Sequence, residues 1–174
     1  EPLLDTIREK SQEGDFIGQR NDGKTVWRNL FFPSEILNAF GLRSLTLETY
    51  AALMARNQHK VRKAFDKAAC VGFSGETCSF LRVLEGIKLP PAELVVSTSQ
   101  PCQQGERVFR DLARNYGIED KCIALQTPAA GGACDFNVEL LASEIERAVF
   151  TIEKQFNTKL GKDKLKEACE YSNE

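Results

Sequence analysis

Six cysteines, at positions 70, 78, 102, 122, 134 and 169, are the residues here with the widest chemistry. Thiols serve as disulfides, as metal or cluster ligands, or as nucleophiles. Nothing else in the sequence suggests secretion, so a disulfide framework has no support and a reduced setting is the expectation. No two cysteines are spaced C-x2-C, which removes the usual zinc-ribbon pattern. A nucleophilic cysteine needs a base, usually histidine. The one histidine, His59, sits among Asn57, Gln58, Lys60 and Arg62 and reads as a solvated surface residue, which disfavours a Cys–His hydrolase. GGACDF lacks the Gly-Lys-Ser/Thr ending of a phosphate loop and no G-x-G-x-x-G occurs, so ATP or dinucleotide binding has no sequence support. The basic run KVRKAFDK, 60–67, reads as a solvated helix face; the sharper alternative is a contact for the phosphates of a bulky anionic substrate.

Cys134 lies on the loop expected after KCIALQT, and two further thiols stand at an expected helix start and strand exit. Cys78 follows Thr77 at an expected helix start, where the positive end of the helix dipole favours thiolate, the form that binds iron. Cys102 follows Pro101 on a loop that leaves an expected strand. Their spacing matches no motif, and by residue type alone a free cysteine is more often a core thiol than a ligand.

The elements that must carry these residues follow from periodicity and punctuation. Residues 1–14 read as a short polar helix and NDG, 21–23, as a turn. TVWRNLFF, 25–32, reads as a strand, PSEILNAFG, 33–41, as a helix closed by Gly41, and 42–48 as a second strand. Residues 48–70 repeat apolar positions near the helical period. VGFSGE breaks that helix, and Thr77 is expected to cap the next, which LPP at 89–91 ends. AELVVSTS, 92–99, and KCIALQT, 121–127, are apolar runs of buried-strand type, separated by a helix over 104–116. A long amphipathic helix over 136–157 has Val138, Leu141, Ile145, Val149, Ile152 and Phe156 on one stripe, and a short helix over 162–172 follows. Strands alternating with helices predict an α/β fold: a Rossmann-like or flavodoxin-like parallel sheet of about four strands flanked by helices. Ligands in such sheets bind outside the carboxyl ends of the strands, so the loops at 32–35, 98–104 and 126–135 matter most.

The chain has 174 residues, room for one domain, and its net charge of −2 gives no field that would favour nucleic acid or an acidic membrane. No signal peptide is visible, and no apolar run reaches the roughly 20 residues that span a bilayer. A cytoplasmic location is expected. The start at Glu1 and the polar end suggest a fragment of a longer protein.

Four segments in register resemble the 2-hydroxyacyl-CoA dehydratase family, which also holds benzoyl-CoA reductase subunits. TVWRNLFFPSEILNAFGL is similar to the family's opening strand and Pro-x-Glu-Leu/Ile turn, with Pro33, Glu35 and Ile36 on the pattern. GFSGETCSFLR resembles its cluster-cysteine segment, and ELVVSTSQPCQ the strand and loop bearing a second cluster cysteine. The stretch from Val138 to Glu174 resembles its linker helices. The resemblance implies a Rossmann-like lobe over 25–135 after a lead-in of 1–24, with linker helices over 136–174 leading to a second lobe. It implies Cys78 and Cys102 as two ligands of a [4Fe-4S] cluster whose third cysteine lies outside this chain, so that the fragment by itself is inactive. It further implies a lyase subunit paired with a homologous second subunit. An ATP-hydrolysing activator supplies one electron, and a ketyl radical on the acyl-CoA substrate then loses its hydroxyl as water. Gln103 departs from the Asp usual after the second cysteine. The other four cysteines match no ligand position and read as structural. Glu35 is a weak candidate for a substrate contact, alongside a plain role at a helix start. A benzoyl-CoA reductase or double-cubane-cluster reductase subunit is the alternative within the family, and a non-catalytic partner-binding α/β module the alternative outside it.

Overall fold

The computed structural model describes residues 24–128, 132 and 134–173; the expected helix at 1–14 and turn at 21–23 lie outside the described residues. Strand β1 (Thr25–Arg28) begins the sheet, followed by helix α1 (Ser34–Ala39), β2 (Arg43–Thr46), α2 (Leu47–Met54), α3 (Gln58–Cys70), α4 (Ser79–Gly86), β3 (Leu94–Thr98), α5 (Gln103–Asn115), β4 (Cys122–Leu125), α6 (Asp135–Phe156) and α7 (Lys162–Ser172). A single 3-10 turn, Glu119–Lys121, leads into β4. The strands form one parallel sheet in the order β2-β1-β3-β4, with Trp27 opposite both Leu45 and Val95, and Val96 opposite Ile123. The predicted α/β class, all-parallel sheet and C-terminal helices are therefore present. The connections diverge to opposite sides of β1, so the carboxyl ends of β1 and β3 flank a topological switch point, where such sheets bind ligands.

Burial explains why the central strands β1 and β3 carry apolar residues on both faces. On one face Trp27, Leu45 and Val95 pack against Leu81, Leu84, Val108, Phe109 and Leu112 of α4 and α5. On the other, Val26, Val96, Ile123 and Leu125 meet Ile36 and Leu37 of α1 and Ala148, Ile152 and Phe156 of α6. Trp27 donates its indole N–H to Pro90 O at 3.0 Å, so the largest core side chain is also polar-satisfied. Gly41, at φ 69°, ends α1 in the left-handed conformation that glycine accepts without strain. Gly86 lets α4 lie directly on α3, where a Cβ would meet the Ala64 backbone at 2.2 Å.

Several boundaries differ from the sequence expectation. β1 stops at Arg28 rather than continuing to residue 32: Leu30 and Phe31 are exposed and only Phe32 returns to the core. The helix expected over 48–70 is two helices, because Asn57 caps a new start by accepting from Lys60 N at 3.0 Å. The cap position of α4 is Cys78 itself, not Thr77. The stripe on α6 is buried only in its second half; Val138 is exposed.

Candidate functional site

α4 and α5 run side by side in the same direction. Their amino ends lie at the carboxyl edge of the sheet, because α4 precedes β3 and α5 follows it. Their carboxyl ends meet at the opposite edge, where Asn115 Nδ2 reaches Glu85 Oε2 at 3.5 Å and Tyr116 Oη accepts from Leu89 N at 2.7 Å. Cys78 and Cys102 are the residues immediately before these two helices. The fold thus brings the two sequence-predicted thiols to the same end of two neighbouring helices on one face. Both are free and exposed, and neither side chain spends itself on capping its own helix.

Cys134 also precedes a helix at this edge, but α6 covers the opposite face of the sheet. Cys70 and Cys169 lie in the last turns of α3 and α7. The core-thiol expectation is not met. Cys70, Cys78, Cys102, Cys134 and Cys169 are exposed and Cys122 is half-buried, because helix ends rather than strand centres carry most of them. Burial pushes the Cys122 thiol above its ordinary value, with nearby Arg110 opposing. His59 is exposed, as expected. Among the described residues no group of three His, Cys, Asp or Glu side chains assembles into a metal cage.

The surrounding loops are held by polar side chains that sequence reading did not single out. Arg28 gives its Nη1 to the carbonyls of Asn29, Leu30 and Phe32 at 3.3, 3.4 and 3.3 Å, folding the loop after β1 around its guanidinium. Glu48, in the first turn of α2, accepts from Leu30 N at 3.1 Å. Burial lowers the Arg28 pKa, opposed by Glu48 and Glu35, and burial raises the Glu48 pKa. Glu35 is not free: its carboxylate accepts from Ser172 of α7, and this bond, with a smaller contribution from Arg28, holds it below the ordinary carboxylate range. Two hydrogen-bonded pairs, Asn29 with Thr98 and Ser99 with Thr127, span the exits of β1, β3 and β4, and the Gln100 backbone links them by accepting from Thr98 and donating to Thr127. The run STS at the end of an otherwise apolar strand was the available signal: all three of Ser97, Thr98 and Ser99 are buried, where each needs a partner.

A cavity of about 200 Å³ between α5 and β4, lined by Ser97, Glu106, Phe109, Arg110 and Cys122 among others, contains neither Cys78 nor Cys102. Arg110 is already paired there with Glu106 at 3.1 Å. The cavity gives no reason to move the site away from the strand exits.

The family model for 2-hydroxyglutaryl-CoA dehydratase, D-component, matches residues 29–174. The chain belongs to that family of dehydratase components, as its four motif segments led us to expect. No curated protein matches the sequence. Among the described residues no helix is long and apolar enough to cross a membrane.

Proposed function

We propose that this chain is the cluster-bearing part of an iron–sulfur subunit of a 2-hydroxyacyl-CoA dehydratase, with Cys78 and Cys102 as two thiolate ligands of a [4Fe-4S] cluster. One observation carries the reading: two free, exposed thiols precede two parallel neighbouring helices at the carboxyl edge of the sheet. The donor set fits. Iron–sulfur clusters take cysteine thiolates, and helix starts offer unpaired backbone N–H groups and a positive dipole end that stabilise thiolate. The third ligand comes from outside residues 1–174, in a second lobe that 136–174 lead to, while 25–135 form the first lobe and 1–24 its lead-in.

When bound, such a cluster supplies one electron to a thioester carbonyl, which allows the 2-hydroxyl to leave as water. The protein's own residues do the rest. The loop braced by Arg28 and Glu48 presents Leu30 and Phe31 to solvent at the same edge, an apolar wall suited to an acyl chain and to excluding water. The homologous second subunit closes the site from the other side, and an ATP-hydrolysing activator delivers the electron. Glu35, engaged by Ser172, acts by holding α7 against α1 and its charge near the start of α1.

The test is anaerobic reconstitution of the full-length protein, second lobe included, with iron and sulfide. Cys78→Ser and Cys102→Ser are each expected to lose the 4Fe absorbance and EPR signal, whereas Cys122→Ser and Cys134→Ser retain them. Equal loss in all four variants would refute the ligand assignment. A full-length wild-type protein that takes up no cluster would leave the partner-binding α/β module as the better reading.

A further inference from the structure

The turn that carries Cys102 is held from both sides by hydroxyl groups. The Gln100 carbonyl accepts from Thr98 Oγ1 at 2.6 Å, and the Gln100 N–H donates to Thr127 Oγ1 at 3.1 Å. Thr98 in turn accepts from Asn29 Nδ2 at 2.9 Å, and Asn29 Oδ1 accepts from Phe32 N at 3.0 Å. Asn29 and Thr98 are almost fully buried, at 5% and 3% exposure.

The proton inventory gives this chain one direction. An amide NH2 can only donate, so the Thr98 hydroxyl must accept from Asn29. Its single proton is then committed to the Gln100 carbonyl. The Phe32 N–H fixes the Asn29 amide in the orientation that makes this possible, because the Oδ1 must face it. The loop after β1 is therefore connected through two buried side chains to the peptide two residues before Cys102. Buried polar groups cost stability unless they are paired, and apolar residues would fill these positions without that cost. Both ends of this connection instead lie on loops at the candidate site.

We propose that Asn29 and Thr98 are positioning residues for Cys102, fixing the direction in which its turn presents the thiolate. The inference rests on the reading of Cys102 as a cluster ligand. Thr98→Val keeps the shape and removes both hydrogen bonds. Asn29→Asp keeps the shape and, once ionised, replaces the donor with an acceptor, so that the carboxylate and the Gln100 carbonyl compete for one proton. Thr98→Ser keeps both bonds and is the conservative control.

The measurements are made on the full-length protein, second lobe included, with circular dichroism to establish folding. In the metal-free protein, hydrogen exchange over residues 99–105 is expected to quicken at least tenfold in Thr98→Val and Asn29→Asp, and to match wild type in Thr98→Ser. In the reconstituted and reduced protein, the EPR g-values are expected to shift in the first two variants and to return to wild type in Thr98→Ser. Should Cys102→Ser lose the cluster while Thr98→Val and Asn29→Asp keep the wild-type iron content and g-values, the positioning role is wrong and the ligand reading survives. Should the full-length wild-type protein hold no cluster, the ligand reading fails first and takes the positioning role with it.

Discussion

Glu85 gives the sharpest test of the packing between α4 and its neighbours. It sits in the last turn of α4 with 8% exposure, and its Oε1 has no hydrogen-bond partner. Burial, then the neighbouring Asp111 charge, pushes its carboxyl up from 4.5 to about 7, with Lys67 partly offsetting them. A raised carboxyl pKa means that the folded state holds the proton more tightly than the unfolded chain. Unfolding free energy therefore falls as pH rises from about 4.5 through about 7, and is level outside that window for this group. At about 1.4 kcal/mol per pH unit the full gap sets a ceiling of roughly 3.5 kcal/mol. Reorientation toward Asn115, already 3.5 Å away, and entry of water reduce the expected loss to about 2 kcal/mol. Glu85→Gln removes the ionisation and keeps the shape. Urea denaturation at pH 4 and pH 8 is the assay. Wild type and variant should differ by less than about 0.5 kcal/mol at pH 4, and the variant should be more stable by about 2 kcal/mol at pH 8. Other titrating groups, including Glu48, contribute equally to both proteins and cancel in the difference. A difference that stays constant across this range would refute the assignment of a buried, protonated carboxyl.

Two other perturbations read different parts of the fold. Gly86→Ala places a Cβ 2.2 Å from the Cα and carbonyl oxygen of Ala64, atoms that no side-chain rotation can move. It should cost about 3 kcal/mol, read as a fall in Tm of about 10 °C; a fall of only a degree or two would mean that α3 and α4 are less tightly apposed. Arg147 donates to the outward Ala124 carbonyl at 2.7 Å while its partner Glu144 accepts from Gln126 N at 2.8 Å, so this ion pair covers the free edge of β4. Arg147→Ala should expose that edge and produce concentration-dependent self-association in light scattering; a variant as monodisperse as wild type would show that the edge needs no cover.

The order of elements was legible because the central strands β1 and β3 are buried on both faces and most helices on one, so the apolar pattern changes period where the structure does. The ends were less legible, and for a common reason. In the run from Thr25 to Phe32 the one break in residue type is Asn29, with β-forming residues resuming after it; the chain turns there because Glu48 and Thr98, distant in sequence, accept from Leu30 N and from the Asn29 side chain. The stripe on α6 was read correctly as a stripe, yet its first half is not covered. A helix of 22 residues is about 33 Å long, while strands of four or five residues extend about 15 Å, so the helix must overhang the sheet. The overhang falls at its amino end, where Phe136 and Val138 are exposed at the edge that carries Cys78 and Cys102.

The candidate site was half legible for a related reason. Residue type separates no thiol here from any other: Cys78, Cys102 and Cys134 each stand directly before a helix, and each could be described in the same words from sequence. Topology separates them. α4 enters β3 and α5 leaves it, so Cys78 and Cys102 share one face and one edge. α6 leaves β4 for the other face, so Cys134 shares only the edge. The family motifs selected the same pair without reference to faces. The braces were missed because Asn29 and Thr98 are separated by 69 positions, and a buried hydroxyl announces only that a partner must exist, not which loop supplies it.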